Sequence, residues 1–280
     1  MKIYNLKSHA KINLTLNVIG KFSNKMHKIE SIICFIDLAD KIRISESKSN
    51  THRIIFEGKF SKGIPRHNSV LKVLNLLDKN NSLKGKKYTI KIKKNIPQKS
   101  GMGGGSMNAA TIINFFLKKK FIKFSDAKKI ANKVGSDVFL GINNNSKVLF
   151  SDNSFKDLKF FFAYYIILLK PNFGCSTKKV YQKNKIFTKK QYFKKKMRIN
   201  ENLITEGKND LENSAFKIYP NMSPFKNRLL SLKKGEFIRM TGSGSTFVVY
   251  FKTKVLAKNA FKIYKKKLNN NNWCFLSKII

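Results

Sequence analysis

The 280-residue sequence predicts an α+β fold, on three observations. Stretches with strict period-two alternation are interleaved with stretches whose apolar residues recur every three and four positions. No internal repeat divides the chain, and an apolar content of 42% is enough to bury a sizeable core. The length suits one large domain or two smaller ones. The polar stretch Ser151-Asp152-Asn153-Ser154 marks a boundary, giving domains 1–153 and 154–280.

The first strand covers 9–19, where Ile12, Leu14, Leu16 and Val18 alternate with Lys11, Asn13 and Thr15, so that the polar three share one face. Asn68 caps a helix whose inner stripe is Val70, Leu71, Leu74 and Leu77. Alternation returns at Tyr88 to Lys93 and leads through Ile96-Pro97 into a glycine-rich loop, after which Ala109, Ala110, Ile113, Phe116 and Leu117 recur at helical spacing. Ser125-Asp126 opens another helix, with Ala127, Ile130, Ala131 and Val134 inward and Gly135 just past its end, which leaves Asp137 directly after a helix stop. Val148-Leu149-Phe150 and the apolar run 160–169 read as strands. Helices follow around 201–219 and 224–233, then a strand at Phe237 to Met240, the turn Thr241-Gly-Ser-Gly-Ser-Thr246, a strand at Phe247 to Phe251, a lysine-rich helix and a last strand near 273–279.

Composition excludes several classes. The ten apolar residues of 160–169 fall short of the roughly 20 a membrane helix needs. The first residues lack the apolar stretch of a signal peptide, so a cytoplasmic protein is expected. Cys34, Cys175 and Cys274 are scattered, and His9, His27, His52 and His67 have no ligand spacing, which predicts reduced thiols and no structural metal. A net charge of +43 suits a nucleic-acid binder, but the basic residues run from Lys2 to Lys278 without forming a stripe. Runs such as Lys118-Lys119-Lys120, Lys194-Lys195-Lys196 and Lys265-Lys266-Lys267 read as solvated helix ends or loops. Nucleic acid and membrane are therefore not expected partners.

Four of the chain's 15 glycines stand at 101, 103, 104 and 105. Glycine weakens ordered structure, so such a cluster needs positive φ or a close approach. The loop is not a Walker A sequence, because Ser106-Met107-Asn108 follows Gly105, nor a dinucleotide fingerprint, because position 106 is Ser. It offers a run of bare backbone N–H groups feeding a helix N-terminus, a place for phosphate held by amides and the helix dipole.

With Pro97 ahead and Ser106-x-Asn108-Ala109-Ala110 behind, this loop resembles the ATP loop of the GHMP kinases, and most closely that of the branch acting on 4-diphosphocytidyl-2-C-methyl-D-erythritol (CDP-ME). Ala10-Lys11-Ile12-Asn13-Leu14, Gly135-Ser136-Asp137-Val138, Asn209-Asp210-Leu211-Glu212 and Thr241-Gly242-Ser243-Gly244 resemble further segments of that family, in order along nearly the whole chain. The resemblance implies two α+β domains, the N-terminal one like domain 2 of ribosomal protein S5 and the C-terminal one a ferredoxin-like sandwich, with ATP and substrate in a cleft. It implies transfer of the ATP γ-phosphoryl group, with Mg²⁺ arriving on the nucleotide, to the 2-hydroxyl of CDP-ME by a monomer or weak homodimer. Homoserine or mevalonate kinases of the same superfamily are the nearest alternatives, and a basic RNA-binding protein the more distant one.

Implied roles follow residue by residue. Asp137 is the base and Lys11 its partner. Pro97, Gly101, Gly103, Gly104, Gly105, Ser106 and Asn108 form the ATP site. Asn13, His27, Thr177, Tyr181, Gly242, Ser243 and Gly244 form the substrate site. Two positions depart from the family pattern: Met26 replaces the aromatic before His27, and Met107 replaces a second serine after the glycines. The first removes a flat π face from the cytosine site; the second leaves metal coordination to Ser106 and water.

Overall fold

A computed structural model describes residues 2–158, 163–188, 193, 197, 199–232, 235–268 and 271–280. The strands are β1 (Ile3–Lys21), β2 (His27–Glu46), β3 (Arg53–Glu57), β4 (Tyr88–Lys93), β5 (Lys147–Leu149), β6 (Phe155–Asp157), β7 (Tyr165–Lys170), β8 (Phe237–Met240), β9 (Phe247–Phe251) and β10 (Trp273–Lys278). The helices are α1 (Ser69–Lys79), α2 (Gly104–Lys118), α3 (Phe124–Val134), α4 (Thr177–Lys183), α5 (Glu201–Thr205), α6 (Leu211–Ile218), α7 (Met222–Ser231) and α8 (Lys254–Lys267), with a 3-10 turn at Phe139–Gly141. The chain divides into two compact units, neither continuous in sequence: residues up to Ala10 with Leu38–Gln98 and Gly103–Asn144, and Lys11–Asp37 with Lys99–Met102 and the described residues of Asn145–Ile280.

In the first unit β3 runs parallel to β4, and β4 pairs antiparallel with the second half of β2, Ile42 opposite Ile92 and Ile44 opposite Ile90. Helices α1, α2 and α3 pack on one another and on this sheet through Val70, Val73, Leu74 and Leu77, then Ile112, Ile113 and Phe116, then Ala127, Ile130 and Ala131. Asn68 caps α1 as its residue type predicts, its side chain accepting from the Val70 and Leu71 amides. The inner stripe takes Val73, and Leu71 is only half-buried.

In the second unit β5 pairs antiparallel with the first half of β2 and with β6. A separate antiparallel sheet has the order β10-β7-β9-β8. With α8 joining β9 to β10 and helices joining β7 to β8, this is the strand order of a ferredoxin-like sandwich, and its core is Ile167, Leu169, Phe247, Val249, Met240, Leu229 and Tyr264.

The observed elements correct several expectations. β7 begins at Tyr165 rather than 160; residues 160–162 of the expected strand, and Lys194-Lys195-Lys196, lie outside the described residues. The expected helix at 201–219 is two helices, because the chain leaves helical geometry to bond β1: the Leu16 amide donates to the Lys208 carbonyl and the Asp210 amide to the Leu16 carbonyl, both at 2.9 Å. α7 begins at Met222 and ends at Ser231. β2 is not among the expected strands: Glu30 to Ile36 is buried without a break, which erases the alternation that one exposed face produces, and only its second half alternates, with Leu38, Asp40, Ile42 and Ile44 buried. Gly135 has φ 174°, an extended conformation open to any residue, so it does not act as a left-handed helix stop.

Candidate functional site

Strand β4 delivers the chain through the buried Pro97 into the glycine loop, which crosses from one compact unit to the other and back. Gly101 has φ 77° and Gly103 φ 67°, and Gly103 occupies the cap position of α2 without any side-chain cap. The first-turn amides of α2 are therefore left for other acceptors. The glycines differ in what requires them. A Cβ on Gly101 would stand 2.1 Å from the Thr241 carbonyl oxygen, and one on Gly242 would stand 2.7 Å from the Gly101 carbonyl oxygen. A Cβ on Gly104 would meet Ile96 Cγ2 at 3.0 Å. A Cβ on Gly105, which is exposed and helical, would meet only the Ser69 hydroxyl at an ordinary 3.6 Å. Nothing in the protein requires glycine at 105, where alanine would favour the helix by about 1 kcal/mol.

Met107 faces the other way, 2% exposed, with its sulfur 2.8 Å from where a Cβ on Gly141 would sit. The position is part of the core, and the expected loss of a metal-side hydroxyl there does not describe it. Ser106 is partly exposed on the first turn of α2. Asn108 is buried with its Oδ1 lacking a hydrogen-bond partner among the described residues. An unpaired buried acceptor is costly and points to a donor supplied from outside the protein. Asp137 is half-buried in the turn that Val138 anchors in the core, its amide donating to the Gly135 carbonyl. That turn runs into Phe139–Gly141, which packs on α2 at Met107 and Ala110.

In the second unit, the polar face of β1 is as buried as its apolar face. Lys11, Asn13, Thr15 and Asn17 are each 6% exposed or less. Lys11 Nζ donates to Asn13 Oδ1 at 3.0 Å, Asn13 Nδ2 donates to Ser31 Oγ at 2.7 Å, and Ser31 Oγ donates to the Thr15 carbonyl at 2.5 Å. The Asn13 amide donates to Thr241 Oγ1 at 3.0 Å, and the Lys11 amide to the Met102 carbonyl at 3.1 Å. A lysine held this way is fixed in position, unlike the solvated lysines that dominate the chain.

The turn at 241–246 is buried throughout. Asn209 Nδ2 donates to the Met240 and Gly242 carbonyls at 2.7 and 2.8 Å, while Asp210 accepts from the Val18 amide and Thr188 hydroxyl and Glu212 from the Met240 amide. The Asn-Asp-Leu-Glu segment, given no role from its residue types, is thus the clamp that sets the turn. The hydroxyls of Ser243 and Thr177 share a hydrogen bond at 2.9 Å, so these two candidates come together.

The His27 ring lies 5.0 Å from that of Tyr181 at 47°, and 6.4 Å from that of Phe187. Phe187 was missed from the sequence, having no motif to mark it. His27 Nε2 is buried with no partner among the described residues, and burial, then the charge of Lys21, lowers the pKa of the imidazole, keeping it neutral. Met26 is 52% exposed and joins no ring cluster. Cys34 and Cys175 are free thiols pushed by burial to about 12 and about 11, hence unreactive at neutral pH. Among the described residues no group of three His, Cys, Asp or Glu side chains is arranged to hold a metal, and no helix is long and apolar enough to cross a membrane.

Comparison with known proteins places this geometry. The model of the GHMP kinases N-terminal domain matches residues 68–145, which includes the glycine loop and Asp137. A protein of Pelagibacter ubique (strain HTCC1062) named 4-diphosphocytidyl-2-C-methyl-D-erythritol kinase is 48% identical over the full length of both chains. A crystal structure of 4-(cytidine 5'-diphospho)-2C-methyl-D-erythritol kinase superposes with TM-score 0.76 at 21% identity, covering 98% of this chain and 99% of that one. Homoserine kinase from Cytophaga hutchinsonii gives 0.68 at 14% identity, covering 100% and 96%.

Proposed function

The chain belongs to the 4-diphosphocytidyl-2-C-methyl-D-erythritol kinase family, and on that premise we propose that it transfers the γ-phosphoryl group of ATP to the 2-hydroxyl of CDP-ME, a step toward isoprenoid precursors. The observation carrying the phosphate half of this reading is Gly105: a glycine kept in the first turn of a helix, against helix propensity and with room for a side chain beside the Ser69 hydroxyl, fits a loop whose contact partner is a ligand. Asn108, with its buried unpaired oxygen, supports the same reading. The substrate half rests on the full-length relative.

Phosphoryl transfer requires alignment and charge neutralisation more than covalent work. In this reading Asp137 accepts the proton of the substrate hydroxyl as the new P–O bond forms, and Lys11 offsets the charge developing there. Asn13 holds the Lys11 ammonium in place and orients the substrate. Amides 103–106 hold phosphate oxygens, and Pro97 sets the entry to the loop. His27, neutral and with a nitrogen to spare, reads the cytosine edge between Tyr181 and Phe187, which together offset the aromatic missing at 26. Thr177, Gly242, Ser243 and Gly244 close on the substrate. Mg²⁺ bound with the nucleotide neutralises phosphate charge, and Ser106 is the hydroxyl that would hold it. The roles divide between an N-terminal domain, 1–153, and a C-terminal one, 154–280, of a cytoplasmic monomer or weak homodimer.

A coupled assay with Mg·ATP and CDP-ME tests this. Asp137→Asn is expected to lower kcat by roughly 10²–10⁴-fold at unchanged thermal midpoint. Lys11→Ala is expected to lower kcat by roughly 10²–10³-fold and also to lower the midpoint, because Asn13 Oδ1 loses its donor. Turnover of homoserine or mevalonate in place of CDP-ME overturns the substrate; near-wild-type turnover by either variant overturns its role.

A further inference from the structure

Directly before the glycine loop stands a buried ion pair that no motif announces. Asp40, on β2, is fully buried, and its Oδ2 accepts from the Nζ of Lys94, itself 4% exposed. The other oxygen, Oδ1, accepts from the backbone amides of Asn95 and Ile96 at 2.8 and 2.9 Å. Asn95 Nδ2 donates to the Ala39 carbonyl at 2.8 Å, and the Lys94 amide donates to the Glu57 carbonyl at 2.7 Å. One carboxylate therefore gathers the corner 94–96, where β4 ends and the loop begins, and fastens it to β2, while the Lys94 amide bonds β3.

The corner in turn touches the loop. The nearest atoms to a Cβ built on Gly104 are Ile96 Cγ2 at 3.0 Å, Ile96 Cβ at 3.3 Å and Lys94 Nζ at 3.4 Å. A buried ammonium thus sits against the first turn of α2, the end at which the helix dipole is already positive. Asp40 neutralises that ammonium in the empty protein and fixes where it sits, so an anion at the first turn of α2 would meet a donor already held in place. A buried pair also contributes little stability over apolar side chains of the same size. Stability alone gives a weak reason for placing it here.

We infer that Asp40 is a positioning residue for nucleotide binding: through Lys94 and the amides of 95 and 96 it sets the corner against which Gly104 packs, and it fixes the position of the Lys94 ammonium beside the first turn of α2. The inference rests on the nucleotide-loop reading given above, and it concerns ATP rather than the acceptor alcohol.

Two variants test it, with binding of the non-hydrolysable analogue Mg·AMP-PNP measured by calorimetry and with KM for ATP and for CDP-ME measured separately. Asp40→Asn, which keeps the shape and removes the charge, is expected to weaken analogue binding and raise the KM for ATP at least tenfold, with kcat and the KM for CDP-ME within about threefold. The double variant Asp40→Asn with Lys94→Met removes both charges while the Asn oxygen can still accept from the amides of 95 and 96; it is expected to keep the thermal midpoint while leaving analogue binding at least tenfold weak. A role in stability alone predicts the reverse, with analogue binding restored along with the midpoint, and that result overturns the inference; if Asp40→Asn does not fold, the double variant decides. Wild-type protein that binds the analogue but does not phosphorylate CDP-ME overturns the substrate reading and leaves this inference standing. Unaltered analogue binding in a folded variant does the opposite.

Discussion

The two glycine-rich turns, 101–105 and 241–246, look alike in sequence, and their glycines are required for different reasons. Around Gly101 and Gly242 the protein itself forbids a side chain, since the two backbones approach until a Cβ would overlap the opposite carbonyl oxygen. At Gly105 the protein leaves room. The first kind of glycine belongs to the fold, and the second we assign to whatever the loop binds.

The comparison breaks most sharply at Gly101→Ala. Positive φ and a backbone oxygen at 2.1 Å leave the new methyl nowhere to go, so a loss on the order of 4 kcal/mol or failure to fold is expected, read as the thermal midpoint. Asn209→Ala comes next. It leaves the Met240 and Gly242 carbonyls without their donor, at about 2–3 kcal/mol, and loosens the turn, so activity should fall with stability. Gly105→Ala is expected to behave in the opposite sense, adding about 0.5–1 kcal/mol to stability while raising the KM for ATP roughly tenfold or more. A destabilised Gly105→Ala protein with unchanged KM would erase the distinction between the two kinds of glycine.

The smallest effect lies away from both turns. His52 accepts from the Tyr88 amide through Nδ1 and faces Asp78 Oδ2 through Nε2, so it is held neutral, and burial lowers its pKa from 6.5 despite the attraction of Asp78. The unfolded chain therefore binds the proton more readily than the folded one. The contribution is fully present above pH 6.5 and is lost as pH falls from 6.5 through the lowered value. A drop in midpoint between pH 7 and pH 5, reduced in His52→Gln, is the expected result; His27 shifts in the same direction and adds to it.

Much of this was legible in the residues. Asn68 capped its helix, alternation located β1 and β4, and the spacing of small residues after Gly105 located α2. Of the candidate site, the glycine loop was legible from its residues, whereas Lys11 and Asp137 were marked only by the family resemblance. Phe187, Asp40 and Lys94 were marked by neither, having no neighbours in sequence that hint at a shared place. Met107 was misread because a residue two positions past a loop was assumed to face what the loop faces, whereas the helix turns it into the core.

The sequence by itself determined the α+β class, the order of the motifs and the membership in a kinase family. Only the tertiary structure decided that both faces of β1 are buried, that the clamp at 209–212 sets a turn beside β8, and that one carboxylate gathers the corner before the loop. The reason is physical. Periodicity reports whether an element has a wet face, a property of neighbours a few residues away. The decisive contacts join residues such as Asn13 and Thr241, separated by 228 positions, or Asp40 and Lys94, separated by 54, and only packing brings those together.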